Sequence, residues 1–210
     1  MDTSKIIVAL DNYSTHMARE IIAKYSQQVY GFKMNHTLYP YIGKEYNNVF
    51  CDYKLYDIPS TVCNVIEHLI DSGAEMVTVN MNNNLAVFEA IEQYSDKIKL
   101  LGVTALTSWD HNDPNSIHRQ EIGNMYDRTT WIMEKYNFWG MICSPKDLKY
   151  LKNVTRLKKI CPGIRNADDM KQDQVRTATP EEAFENGADS KASCPTIGSS
   201  RRCHCVSPAR

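Results

Sequence analysis

A chain of 210 residues, 42% of them hydrophobic, can bury one sizeable core and falls in the size range of a single domain. Its formal charge of −1 excludes a broad field that attracts nucleic acid or an anionic membrane, so any anionic ligand has to be held locally. Residues 1–5 lack the basic start and long apolar segment of a signal peptide, and no run approaches the ~18 residues of a membrane span, which predicts a cytoplasmic protein.

Along the chain, short apolar runs at 6–10, 29–33, 49–54, 76–79, 99–104, 139–143 and 157–161 predict seven strands. Several are almost continuously apolar, as parallel strands covered by helices are. Between them lie stretches of helical period at 15–27, 85–94, 117–136 and 147–152. The clearest helix follows Ser60, with Val62, Val65, Ile66, Leu69 and Ile70 on one face and Gly73 placed to close it. Thr179, Pro180 and Glu182 form a capping box for a last short helix ending at Gly187. This order predicts an α/β architecture, with a barrel and a doubly wound sheet both open.

An eighth apolar strand belongs after Asp189, but residues 190–210 are rich in Ser, Cys and Arg, contain no acidic residue and show neither period. The expectation is therefore a barrel-like domain over 1–189 and an irregular tail over 190–210. Cys194 and the Cys203-His204-Cys205 triplet match no standard zinc spacing, and no metal is expected there. Cys51, Cys63, Cys143 and Cys161 stand singly in apolar stretches and read as buried thiols.

The densest polar constellation is Asp52-Tyr53-Lys54-Leu55-Tyr56-Asp57-Ile58-Pro59-Ser60-Thr61. Strand positions two apart share a face, so Asp52 and Lys54 project into one space at a strand end. Lys33 closes an earlier strand, and Asp57 lies in the turn before the Ser60 helix. Two lysines and two aspartates thus converge at the C-terminal rim, where barrel and open-sheet enzymes keep their sites. A structural salt-bridge network fits this pattern as well as a proton-delivering lysine does. A second constellation, Pro162-Gly163-Ile164-Arg165 followed by Asp173-Gln174-Val175-Arg176, supplies donors suited to a phosphate, although a solvated loop also has this composition.

Together these segments resemble the orotidine 5′-phosphate decarboxylases, and they do so in that family's order. The resemblance covers residues 5–189 and rests on Ile7-Val8-Ala9-Leu10-Asp11, on Lys33, and on Asp52-x-Lys54-x-x-Asp57-Ile58-Pro59-x-Thr61. It extends through Val103-Thr104-x-Leu106-Thr107-Ser108 to the Pro-Gly-Ile-Arg loop. The Asp-x-Lys-x-x-Asp element alone is shared with hexulose-phosphate synthases and ketogulonate-phosphate decarboxylases. Ile58-Pro59-x-Thr61 and the Pro-Gly-Ile-Arg loop set the chain apart from them.

The resemblance implies a (β/α)₈ barrel and a decarboxylation of orotidine 5′-phosphate to UMP, in de novo pyrimidine synthesis, without metal or cofactor. It implies a charged tetrad of Lys33, Asp52, Lys54 and Asp57, with Lys54 protonating the pyrimidine C6 and Asp52 facing the substrate carboxylate. Asp52 then acts by stressing the ground state or as part of a preorganised field. Asp11 and Lys33 are implied to hold the ribose, Ser108 the base, and Arg165 with Gln174 the phosphate. A homodimer is implied, with Asp57 and Thr61 reaching into the neighbouring site. The sequence departs from the family at Asn80, where similar chains often carry histidine, and in the tail. There the family's eighth strand and closing helix are expected to be missing or scrambled, which a frameshift near Asp189 explains. The alternatives are a non-catalytic or truncated remnant of the family and a metal-dependent sugar-phosphate decarboxylase or synthase.

Overall fold

The computed structural model describes residues 5–11, 13–106, 122–162, 183 and 185–193. The described strands are β1 (Ile6–Ala9), β2 (Gly31–Met34), β3 (Val49–Leu55), β4 (Met76–Asn80), β5 (Lys99–Val103), β6 (Gly140–Ile142), β7 (Lys158–Pro162) and β8 (Ser190–Ser193). Each pairs in parallel with the next, and β8 returns to β1, so the sheet closes into a barrel.

Helices α1 (Thr15–Tyr25), α2 (Tyr39–Ile42), α3 (Pro59–Asp71), α4 (Leu85–Ile91) and α5 (Ile122–Lys135) connect the strands. Local chemistry starts and stops them. Ser14 caps α1 by accepting the Met17 N–H, and Asn84 caps α4 by accepting that of Ala86. Pro59 opens α3, which buries Val62, Ile66 and Leu69, and Gly73 follows it at φ +79°, a conformation that side-chain-bearing residues rarely hold. The 147–152 segment forms a 3₁₀ helix, Pro145–Tyr150, instead of an α-helix.

Two apolar layers result from the alternation of strand side chains. Outward-facing residues such as Val77, Leu100, Met141 and Cys161 pack with the helices in the main core. Ile7, Phe50, Met76, Leu101 and Ile160 form a separate cluster that fills the barrel interior, joined by Tyr30 and Trp139. Cys51, Cys143 and Cys161 are buried free thiols as expected, whereas Cys63 is half-buried.

Where the family's eighth strand was expected to be missing or scrambled, the structure has a four-residue strand without an apolar pattern. Ile160, Cys161 and Pro162 lie opposite Ser190, Lys191 and Ala192, while Ile6, Ile7 and Val8 lie opposite Lys191, Ala192 and Ser193. Ladder pairing is made by backbone groups, so a run without apolar pattern can occupy the slot between two strands that both offer unpaired edges. Asp189 anchors the approach: its backbone N–H donates to Lys159 O at 2.9 Å and its carboxylate accepts the Lys159 N–H at 2.9 Å. The barrel thus runs four residues beyond the expected boundary at 189. The closing helix and the Cys-His-Cys triplet lie outside the described residues, as do Thr179, Pro180 and Glu182.

Candidate active site

The inward faces that form the apolar plug continue upward into charge. Phe50 is followed two residues on by Asp52, Met76 by Thr78, and Gly31 by Lys33, so these side chains share the barrel interior at its C-terminal end. Asp11 enters just beyond the end of β1. A chain of alternating charges forms there: Asp11 pairs with Lys33, Lys33 Nζ lies 2.9 Å from Asp52 Oδ2, and Lys54 Nζ lies 2.8 Å from Asp52 Oδ1.

Burial and pairing oppose one another in this array. Burial alone pushes the Asp52 carboxyl upward, but Lys33 and then Lys54 outweigh it and hold the group well below the ordinary carboxylate range. Burial likewise works against the charge of Lys33, yet Asp52 and Asp11 prevail and raise its pKa. Lys33 and Asp52 side chains are only 11% and 15% exposed, whereas Lys54 is 42% exposed. The inner pair is therefore a fixed electrostatic frame, and Lys54 is the member open to an incoming molecule. Asp11 Oδ1 is buried without a partner among the described residues, an acceptor suited to a hydroxyl.

Lys54 reaches its place by a route that simple alternation does not contain. Between Cys51, opposite Val77, and Leu55, opposite Val79, three residues of β3 face one of β4, Thr78, and Lys54 sits in this bulge at φ +48°. Its backbone N–H donates to Thr78 Oγ1 at 2.7 Å, and Thr78 Oγ1 donates to Asp52 Oδ1 at 3.1 Å. Thr78 was not singled out in the sequence, because Val77-Thr78-Val79 reads as an ordinary β-rich run.

The remaining expected residues divide into two groups. Asp57, just before α3, and Thr61, in its first turn, are exposed, and the Asp57 carboxylate accepts the Ile58 N–H at 2.7 Å without joining the Lys33–Asp52–Lys54 array. Ser108, Arg165 and Gln174 lie outside the described residues. Asn80 accepts the Asn82 N–H at 2.9 Å, which orders the turn after β4.

The sequence matches the family model described as "Orotidine 5'-phosphate decarboxylase / HUMPS family" over residues 4–191. The chain belongs to this family. Among its relatives, the orotidine 5′-phosphate decarboxylase of Dictyoglomus thermophilum is 31% identical over 208 residues, covering 88% of this chain and 84% of that one. The enzyme of the same name from Idiomarina loihiensis is 29% identical over 204 residues, covering 90% and 88%. The crystal structure of orotidine 5′-phosphate decarboxylase from Lactobacillus acidophilus has the same fold, with a TM-score of 0.71 at 24% identity over 90% of this chain and 89% of that one. The fold class and the family resemblance read from the motifs agree with these findings. Within the family, a charged array at the C-terminal end of the barrel is the part of this chain equipped for chemistry.

Proposed function

We propose that the chain decarboxylates orotidine 5′-phosphate to UMP in pyrimidine biosynthesis, with Lys54 as the proton donor. The observation that carries this reading is the Asp11–Lys33–Asp52–Lys54 array, whose outermost member is an exposed ammonium held beside a buried carboxylate. In the proposed reaction the substrate carboxylate faces Asp52. The bond from C6 to the carboxylate breaks, carbon dioxide leaves, and the electron pair stays on C6 beside the Lys54 ammonium. Lys54 then gives its proton to C6, and the neutral amine regains one from water. Because Lys33 and Asp52 are already paired and largely shielded, their field is in place before substrate arrives and needs little reorganisation.

Ribose hydroxyls find an acceptor in Asp11 Oδ1, and Ser108, Arg165 and Gln174 are assigned to the base and phosphate from the motifs. We assign Asp57 and Thr61 to the site of a second copy of the chain. Their exposure, together with that of Tyr41, Tyr56, Ile58 and Leu85 on the segments after β2, β3 and β4, supports an interface on this side. We propose a cytoplasmic location, in keeping with the family; separately, among the described residues no helix is long and apolar enough to cross a membrane.

The test is the loss of substrate absorbance when the purified chain is added to orotidine 5′-phosphate with EDTA present. Turnover that survives the chelator and disappears in Lys54→Ala supports the reading. Turnover abolished by EDTA contradicts a metal-free reaction, and a folded chain without turnover points instead to a non-catalytic member of the family or to a metal-dependent sugar-phosphate relative with another substrate.

A further inference from the structure

We propose that Thr78 is a positioning residue for the proposed proton donor, one buried hydroxyl setting both the backbone of Lys54 and the carboxylate beside it. The catalytic consequence rests on the decarboxylase reading, whereas the geometric consequence does not.

Thr78 is fully buried in the middle of β4. Its Oγ1 accepts the Lys54 N–H at 2.7 Å and lies 3.1 Å from Asp52 Oδ1, with Cys51 O more distant at 3.5 Å. A hydroxyl carries one proton, and the shorter contact to an ionised oxygen is the stronger acceptor for it. The same Asp52 Oδ1 receives Lys54 Nζ at 2.8 Å. These contacts close a ring in which Thr78 holds Lys54 by its backbone while Asp52 holds it by its side-chain end.

The ring matters because Lys54 is in an uncommon conformation. A non-glycine residue stays at φ +48° only where its surroundings over-determine it. The bulge gives Lys54 N–H a side-chain acceptor on β4, so the hydroxyl fixes the bulge at the residue whose ammonium has to meet the substrate. Being β-branched, Thr78 holds its own rotamer stiffly and passes that stiffness to both partners. Lys33 then binds the other oxygen of Asp52, leaving the carboxylate little freedom to turn.

Thr78→Val keeps shape and strand propensity but removes both hydrogen bonds, and Thr78→Ser restores them. Steady-state kinetics on orotidine 5′-phosphate should show kcat lowered about 10–100-fold in Thr78→Val with KM within about threefold, and largely recovered in Thr78→Ser. A crystal structure of Thr78→Val should show Lys54 out of the left-handed region or its Nζ displaced from Asp52. Should the valine chain not fold, Thr78→Ala against Thr78→Ser gives the same contrast. A purely structural threonine lowers Tm while leaving kcat of the folded enzyme unchanged, and that result overturns the proposal. If the unaltered chain lacks Lys54-dependent turnover, the decarboxylase reading fails, and the crystal structure alone decides the positioning role: an unmoved Lys54 refutes it.

Discussion

The two ends of the barrel each hold a lysine against a carboxylate, but they are finished differently. At the N-terminal end, Tyr30, Glu75, Lys99 and Trp139 lie at the starts of strands. Tyr30 donates to Glu75 Oε1 at 2.5 Å, Lys99 donates to the Tyr30 oxygen at 2.7 Å and pairs with Glu75, and the Lys99 ammonium lies 5.0 Å from the centre of the Trp139 ring. One cation is matched by one anion, a phenol and aromatic faces, all turned towards one another. At the C-terminal end the charges alternate over four residues, one acceptor oxygen of Asp11 is buried without a partner among the described residues, and the last ammonium is exposed. Each end leaves one carboxylate oxygen buried without a partner among the described residues, so the difference lies in the cations: Lys99 is turned back onto Tyr30 and Trp139, whereas Lys54 ends an alternating chain in the open, placed to receive something. Barrel enzymes generally divide their two faces in this way.

The sharpest way to break this comparison is Lys54→Ala. Losing a positioned general acid and the charge that stabilises a developing anion should lower kcat by a factor of about 10⁴ or more, while UMP binding, measured by calorimetry, changes little. Parallel loss of binding and turnover would make Lys54 a binding group and reduce the two ends to the same kind of structural network.

Asp52→Asn probes the frame beneath Lys54. The substitution leaves Lys33, largely buried, with Asp11 as its remaining carboxylate and should cost about 3 kcal/mol near neutral pH, read from urea unfolding. The folded-state pKa of Asp52 is depressed, so its stabilising contribution is present above the unfolded value of about 3.9 and is lost as pH falls towards the folded one. The stability gap between the unaltered chain and the variant should therefore hold from pH 7 to about 4 and narrow below it. A gap that stays constant into strong acid contradicts the pairing.

Much of this layout could be read from sequence because strand period and apolar runs report burial directly. The run predicted at 49–54 is the strand Val49–Leu55, and that at 76–79 is Met76–Asn80. Asp52 and Lys54 were expected to share a space, and they do, but through a bulge that period-two alternation does not encode. Thr78 was hidden because threonine is common in strands and its hydroxyl becomes informative only when a neighbouring strand's backbone arrives. Helix α2 is four residues long, too short to display a period. Strand β8 was missed for the opposite reason to the others: Ser-Lys-Ala-Ser has no apolar signature, and only closure of the sheet, a long-range property, gives it a partner on each side.

Lys99→Met makes the smallest change and completes the comparison. It removes the ion pair, the hydrogen bond to Tyr30 and the approach to Trp139, all at the face opposite the proposed chemistry. With the side chain 30% exposed, solvent screening leaves a loss of about 1–2 kcal/mol, or about 2–8 °C in Tm, with kcat within about twofold of the unaltered chain. Burial acts against the charge of Lys99, but Glu75 and Tyr30 raise its folded pKa above the model-peptide range, so its contribution is present below about pH 10.4 and is lost as pH rises through the folded value. The difference in stability between the two chains should shrink at that alkaline limb. A fall in kcat comparable to that of Lys54→Ala would mean that the N-terminal network also reaches the reacting end, through the apolar plug of Ile7, Phe50, Met76, Leu101 and Ile160 that separates them.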